Sequence, residues 1–392
     1  MERPGSITLR MGPLAGIRVL ELEAIGPVPF CGMMLADMGA DVLVIDRRAE
    51  SGLGLPRERW NDVMMRGRRS LTLDLKSRDG VEAALTIVEK ADALIEGFRP
   101  GVMERLGLGP DVVLARNSRV VYGRMTGWGQ HGPLARSVGH DIDYIALSGV
   151  LGAIGREGAA PTPPLNLVGD FGGGGMMLAF GIACGIIEAK TSGRGQVVDA
   201  AMVDGASTLA AMFHGMIASG RLSEQRATNV LDSGAPWYDT YRTRDERYLA
   251  VGAIEPHFYK ALLRGLGLEG DASLPGQNDS KGWPELRVRF ADVIATRTSD
   301  EWMSVFEGTD ACVAPVLSFS EAPRHPHAVA RKAFIELGGV VQPAPAPRFE
   351  RTPGEAKRRP PERGVGGRDA LIEWGFASAQ IDALQRLGAG FA

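Results

Sequence analysis

The feature that most limits the fold of this chain lies near its start. Ile17-Arg18-Val19-Leu20-Glu21-Leu22 reads as a buried strand, and Gly26-Pro27 breaks it. Phe30 to Met38 then carries apolar residues at helical spacing, and Asp41-Val42-Leu43-Val44-Ile45-Asp46 reads as a second strand. Two strands joined through a helix by short loops point to parallel pairing. The alternation continues with a strand over Ser70 to Leu75, a helix over Gly80 to Lys90, and strands over Ala91 to Phe98 and Val120 to Met125. This is the pattern of an α/β domain around a parallel sheet. Ligands of such sheets sit beyond the carboxyl ends of the strands. The loops after Asp46, Phe98 and Met125 are therefore where a site is expected.

Further along, Gly172 to Lys190 reads as an apolar helix that opens in four glycines, and Val203 to Ser219 as a second helix. After Gln225 the texture changes. Short strands are expected between Trp237 and Ile254, with helices around 256–266 and 284–308. The expected division is a disordered extension at 1–11, a large α/β domain at 12–224, a smaller α+β domain at 225–325 and a C-terminal segment at 326–392. Within that last segment, 340–366 is rich in Pro and Arg and is expected to lack regular structure, and Ala370 to Leu387 has helical spacing.

Composition narrows the function classes. The 392 residues include 44 Lys and Arg against 47 Asp and Glu, well mixed, for a net charge of −3, so no basic face for nucleic acid is expected. Cys31, Cys184 and Cys312 lie far apart without a CxxC pair, which argues against a zinc knuckle or a thioredoxin-like motif and fits buried thiols in a reducing compartment. No uninterrupted apolar run reaches the length of a membrane span, and the first eleven residues lack the apolar centre of a signal peptide. A cytoplasmic protein is expected. GxxxxGK[ST], HExxH and GxSxG are all missing, and Gly169-Asp170-Phe171-Gly172-Gly173-Gly174-Gly175 has neither the place nor the spacing of a dinucleotide fingerprint. Acid/base chemistry by dispersed residues remains.

Three residues are candidates for it. His140, in Gly139-His140-Asp141-Ile142, is either a helix-cap residue or a general base. Asp170 is either the N-cap of the helix that follows or a proton carrier whose carboxyl is raised by an apolar pocket. Its glycine neighbours would let a ligand approach the backbone. Glu255, before Pro256 and His257, is either a helix N-terminal carboxylate or a partner that orients His140. Arg47, Arg48, Arg66, Arg68, Arg69 and Arg99 flank the early strands, which favours a phosphate-bearing ligand over plain solvated charge. Met176, Met177, Met202, Met212 and Met216 suit core packing or a pliable surface for an acyl chain.

At these residues a resemblance enters. Gly12-Pro13-Leu14-Ala15-Gly16-Ile17-Arg18-Val19-Leu20-Glu21-Leu22, Leu35-Ala36-Asp37-Met38-Gly39-Ala40-Asp41-Val42 and Ile45-Asp46-Arg47 resemble the opening of the CaiB/BaiF family, the class III CoA transferases. Gly97-Phe98-Arg99-Pro100-Gly101, Met125-Thr126-Gly127-Trp128-Gly129-Gln130, Gly169-Asp170-Phe171-Gly172 and Asp310-Ala311-Cys312-Val313-Ala314-Pro315-Val316 are similar too, so the likeness spans about 12–350. Within the family, His140, Asp170, Glu255 and Asn166 match the catalytic and supporting positions of the α-methylacyl-CoA racemase branch. Asp143 departs from it where Asn is expected.

The resemblance implies a large Rossmann-like domain built from both ends of the chain, a smaller domain between, and an interlocked homodimer whose active site joins the two copies. It implies CoA contacts at Arg47, Leu73, Asp74, Lys76 and Arg99. It also implies inversion of the α-carbon of 2-methylacyl-CoA thioesters in fatty-acid metabolism, with no metal or redox cofactor because CoA belongs to the substrate. The oxyanion formed on the way is expected to meet the backbone of Gly169, Asp170, Phe171 and Gly172. The alternatives are a CoA transferase with Asp170 as covalent nucleophile and a binding protein that has kept the fold.

Overall fold

The computed structural model describes residues 11–49, 52 and 54–392. The expected disordered start therefore lies, apart from Met11, outside the described residues. The chain divides into two compact units, one of Met1–Ser148, Leu165–Leu209 and Pro326–Ala392, the other of Gly149–Pro164 and Ala210–His325. The smaller unit thus takes in residues well before Gln225. The expected helix over Val203 to Ser219 is broken at Ala210 into Met202–Leu209 and Ala211–Ala218, and the unit boundary falls at that break.

The larger unit holds six parallel strands: β1 (Arg18–Leu22), β2 (Asp41–Asp46), β3 (Arg68–Thr72), β4 (Ala93–Glu96), β5 (Val121–Thr126) and β6 (Val197–Ala201). Their order is β3-β2-β1-β4-β5-β6. The order reverses between β1 and β4, and the crevice beyond their carboxyl ends is where doubly wound sheets take ligands.

Both faces of the sheet are covered, as parallel pairing requires. Leu20, Leu22, Leu43, Ile45 and Leu94 pack with helices Arg78–Val88, Gly367–Glu373 and Ser378–Arg386 on one side. Val19, Val42, Ile95, Val121 and Met125 pack with helices Pro27–Asp37 and Met177–Ser192 on the other. Each fully buried aliphatic side chain contributes about 1.5–3 kcal/mol. Ser77 starts helix Arg78–Val88 by accepting the Gly80 N–H at 3.0 Å.

The outer edge of β3 is sealed from far along the chain. Ser70 N–H donates to the Val365 carbonyl, and Thr72 and Gly390 exchange both backbone bonds at 2.9–3.0 Å. Gly364 N–H donates to Ser70 Oγ at 2.8 Å across 294 residues. Part of the segment expected to be irregular forms a hairpin, Phe334–Leu337 with Val340–Pro343. The expected C-terminal helix is two helices, separated around Gly375 in a left-handed conformation.

By length and apolarity the helical stretch Leu167–Ser192 could cross a bilayer. Here Leu178, Ile182 and Ile186 pack it into the sheet core, so it serves as a core helix.

In the smaller unit, β7 (Tyr238–Arg242), β8 (Tyr248–Gly252) and β9 (Val313–Pro315) form an antiparallel sheet in that order. Helices Pro256–Leu266, Trp283–Ile294 and Ser299–Phe306 pack with it around Trp237, Leu249, Phe290 and Trp302.

Candidate active site

Asp170 lies in the first turn of a π-wound segment, Leu167–Met176, that runs directly into helix Met177–Ser192. Asn166, not Asp170, holds the cap position. Gly173, Gly174 and Gly175 of the glycine run admit neighbouring helices. A Cβ on Gly205 would lie 1.8 Å from the Gly173 carbonyl oxygen, and Cβ atoms on Gly174 and Gly175 would strike Met202, Pro27 and Phe30. These glycines admit the neighbouring helices Met202–Leu209 and Pro27–Asp37. One further glycine aims the carboxylate. Gly26, at φ 65°, sits in the loop after β1, and a Cβ there would meet Asp170 Oδ2 at 3.2 Å. The Asp170 carboxylate thus lies against the loop that follows β1, beside the N-terminus of helix Pro27–Asp37. Phe171 stacks on Phe30 at 4.7 Å.

The hydrogen bonds around Asp170 are specific. Asn166 donates its amide to Asp170 Oδ2 at 3.0 Å. The Asp170 N–H donates to Asp141 Oδ1 at 2.6 Å, and the Gly169 N–H also reaches the Asp141 carboxylate. The Phe171 N–H donates to the Asn166 carbonyl. The N–H groups of Gly169, Asp170 and Phe171, expected to face an oxyanion, thus already have acceptors within the chain. Asp141 is buried and its Oδ2 has no partner among the described residues. Burial raises the Asp170 carboxyl above its ordinary value. The Asn166 amide opposes that shift, the Asp141 charge adds to it, and nearby His140 works against it. His140 and Asp170 therefore share one electrostatic neighbourhood.

His140 is exposed and caps helix Asp141–Leu147 by position, yet its imidazole makes no capping bond. Its backbone N–H instead donates to Asp143 Oδ2 at 2.9 Å. The departure at Asp143 thus has a structural task, one that an Asn side-chain carbonyl can also perform. Glu255 belongs to the smaller unit, exposed at the N-cap of helix Pro256–Leu266, and its side chain makes no capping bond. It lies near the exposed Cys312, whose thiol is pushed up by partial desolvation and by the Glu255 and Asp310 charges.

The arginines separate into two groups. Arg66, Arg68 and Arg69 do not line a ligand edge. They precede or open β3, are buried, and pair with Asp37 at 2.5 Å, with Glu21 at 3.0 Å and with Asp41. Arg47 and Arg99 follow β2 and β4, and neither guanidinium has an ion pair among the described residues, although the Arg47 N–H donates to Glu23 Oε2 at 2.7 Å. The Arg47 guanidinium sits 6.0 Å from the Phe98 ring centroid. Arg48 is exposed and donates to the Gly388 carbonyl at 3.1 Å. Asp74 and Lys76 are exposed beyond the carboxyl end of β3, whereas the Leu73 side chain is buried in the core, which leaves only its main chain for a ligand. Met202 is core, while Met176 and Met212 are exposed. Only Cys31 of the three thiols is buried; Cys184 and Cys312 are exposed.

The model of CoA-transferase family III matches residues 14–366. This chain belongs to that family. Among the family's members, the α-methylacyl-CoA racemase of Mus musculus is 47% identical over 370 residues, covering 94% of this chain and 95% of the relative. The racemase of that name from Homo sapiens is 45% identical over 371 residues, again 94% and 95% of the two chains. A crystal structure of a CaiB/BaiF family protein from Brucella suis superposes with TM-score 0.78 at 23% identity, over 93% of this chain and 100% of that one. That likeness supports the fold.

Proposed function

We propose that this family III chain is a racemase that inverts the α-carbon of 2-methylacyl-CoA thioesters by 1,1-proton transfer. The observation that carries the reading is the hydrogen bond at 2.6 Å from the Asp170 N–H to Asp141, the residue after His140, which ties the segments of the exposed imidazole and the carboxyl raised by burial together. The close identity to two racemases over nearly the whole chain supports it.

In the mechanism, His140 removes the α-proton from one face and Asp170 returns a proton to the other, with the roles reversed for the opposite enantiomer. A raised carboxyl suits Asp170 to act as either donor or acceptor near neutral pH. The charge that develops on the thioester oxygen needs donors already in place. CoA lies along the carboxyl edge, against Arg47, the main chain at Leu73, Asp74, Lys76 and Arg99. A second copy of the chain contributes Glu255 to orient His140, and no metal or redox group takes part.

Incubation with a 2-methylacyl-CoA in deuterated water tests the reading. Deuterium enters the α-carbon and optical activity is lost. If the α-proton stays in place, the racemase assignment is wrong. The transferase alternative predicts instead an anhydride on Asp170 that hydroxylamine traps.

A further inference from the structure

His140 is followed directly by helix Asp141–Leu147, and two residues of that helix reach back to the backbone that carries the proton carriers. At its start, Asp141 accepts the Asp170 N–H at 2.6 Å. There is no slack at this contact, since a Cβ on Gly169 would lie 2.4 Å from Asp141 Oδ1. One turn on, Tyr144 is buried and donates its phenol O–H to the carbonyl of Gly139, the residue before His140. The Tyr144 ring is itself fixed. Trp128 packs edge-on against it with centroids 4.8 Å apart. A Cβ on Gly127 would come within 2.1 Å of the ring, and one on Gly139 within 2.8 Å. The proposed proton transfers use neither side chain.

We infer that Asp141 and Tyr144 are positioning residues, Asp141 acting through Asp170 and Tyr144 through His140, so that one short helix sets the separation of the two proton carriers. Opposed transfers across a single carbon demand this. A carrier displaced by about 1 Å loses roughly a hundredfold in rate. Groups held by second contacts on regular elements keep their geometry better than groups on free loops. The Asp141 charge contributes further, because it opposes ionisation of Asp170.

The inference rests on the racemase reading, and its test separates the two. Initial rates of α-proton exchange in deuterated water are measured for each enantiomer of one 2-methylacyl-CoA. His140→Ala identifies the enantiomer served by His140, and Asp170→Asn the one served by Asp170. Tyr144→Phe removes only the phenol O–H. It is expected to slow exchange of the His140 enantiomer about tenfold, the effect of one hydrogen bond, and to leave the other within about twofold. Asp141→Ala is expected to do the reverse. Asp141→Asn, which keeps an acceptor oxygen, recovers most of the loss and covers the case in which the alanine variant fails to fold. Equal slowing of both enantiomers by Tyr144→Phe and Asp141→Asn, or no slowing by either Tyr144→Phe or Asp141→Ala, overturns the inference. A wild-type protein that exchanges neither enantiomer overturns the racemase reading itself.

Discussion

The arginines at the start of β3 and those after β2 and β4 are the same residue type in one small sheet, yet they do different things. Arg66, Arg68 and Arg69 are buried and paired with Asp37, with Glu21, and with both Asp41 and Glu373. Among the described residues the Arg47 and Arg99 guanidinium groups have no ion pair, although the Arg47 N–H donates to Glu23 Oε2, and Arg99 is exposed. Strand direction makes the difference. All six strands run the same way, so a residue just before a strand stands at one edge of the sheet and a residue just after it at the other. At the amino edge of β3 these arginines join the core and take counter-charges. At the carboxyl edges of β2 and β4, Arg47 and Arg99 are placed where doubly wound sheets take ligands.

The largest expected effect tests the carboxyl edge directly. His140→Ala and Asp170→Asn should each lower the rate of racemization by about 100- to 10,000-fold, read by polarimetry on a 2-methylacyl-CoA, while the denaturation midpoint barely changes. A variant with near-normal turnover removes that residue from the mechanism. At the other edge the sign pattern reverses. Arg68→Ala leaves Glu21 buried and uncompensated, which should cost about 3–5 kcal/mol in chemical denaturation, with turnover per folded molecule preserved. If Arg68→Ala instead raised KM and left stability alone, the contrast between the edges would collapse.

Smaller changes sharpen the comparison. Arg99→Ala should raise KM for the acyl-CoA about tenfold, the loss of one charge-assisted contact to phosphate, with kcat and thermal midpoint nearly unchanged. The smallest effect concerns Glu96, at the carboxyl end of β4. Burial pushes its carboxyl up to about 7 against the opposing Phe98 N–H and Arg124. A carboxyl raised in the folded state adds stability below its unfolded value of 4.5 and loses that contribution as pH rises through about 7. Wild-type stability should therefore fall more steeply between about pH 5 and pH 8 than that of Glu96→Gln, as followed by urea denaturation.

Much of this was readable in the residues themselves. Strand β2 has the bounds that its apolar run implies, because both of its faces are buried. Strand β3 begins two residues before the expected Ser70, since Arg68 and Arg69 look like solvated charge until their partners on other elements are known. Strand β6 escaped notice because it is an edge strand whose first three residues are exposed or half-buried, which leaves no clear periodicity. His140, Asp170 and Asn166 were identified as residue types. Asp141 and Tyr144 were not, because they act on backbone groups, in the case of Asp141 across 29 positions. The one local hint was an acidic residue directly after His140. The packing task of Gly173, Gly174 and Gly175 is hidden in the sequence for a similar reason, since only the neighbouring helices show what fills the space beside them.

The seal on β3 has a consequence for synthesis on the ribosome. The outermost strand of the sheet is made 294 residues before Gly364, and Gly390 follows later still, so the groups that cover its free backbone come long after it. Until they are made, that strand is an open template for any extended peptide nearby.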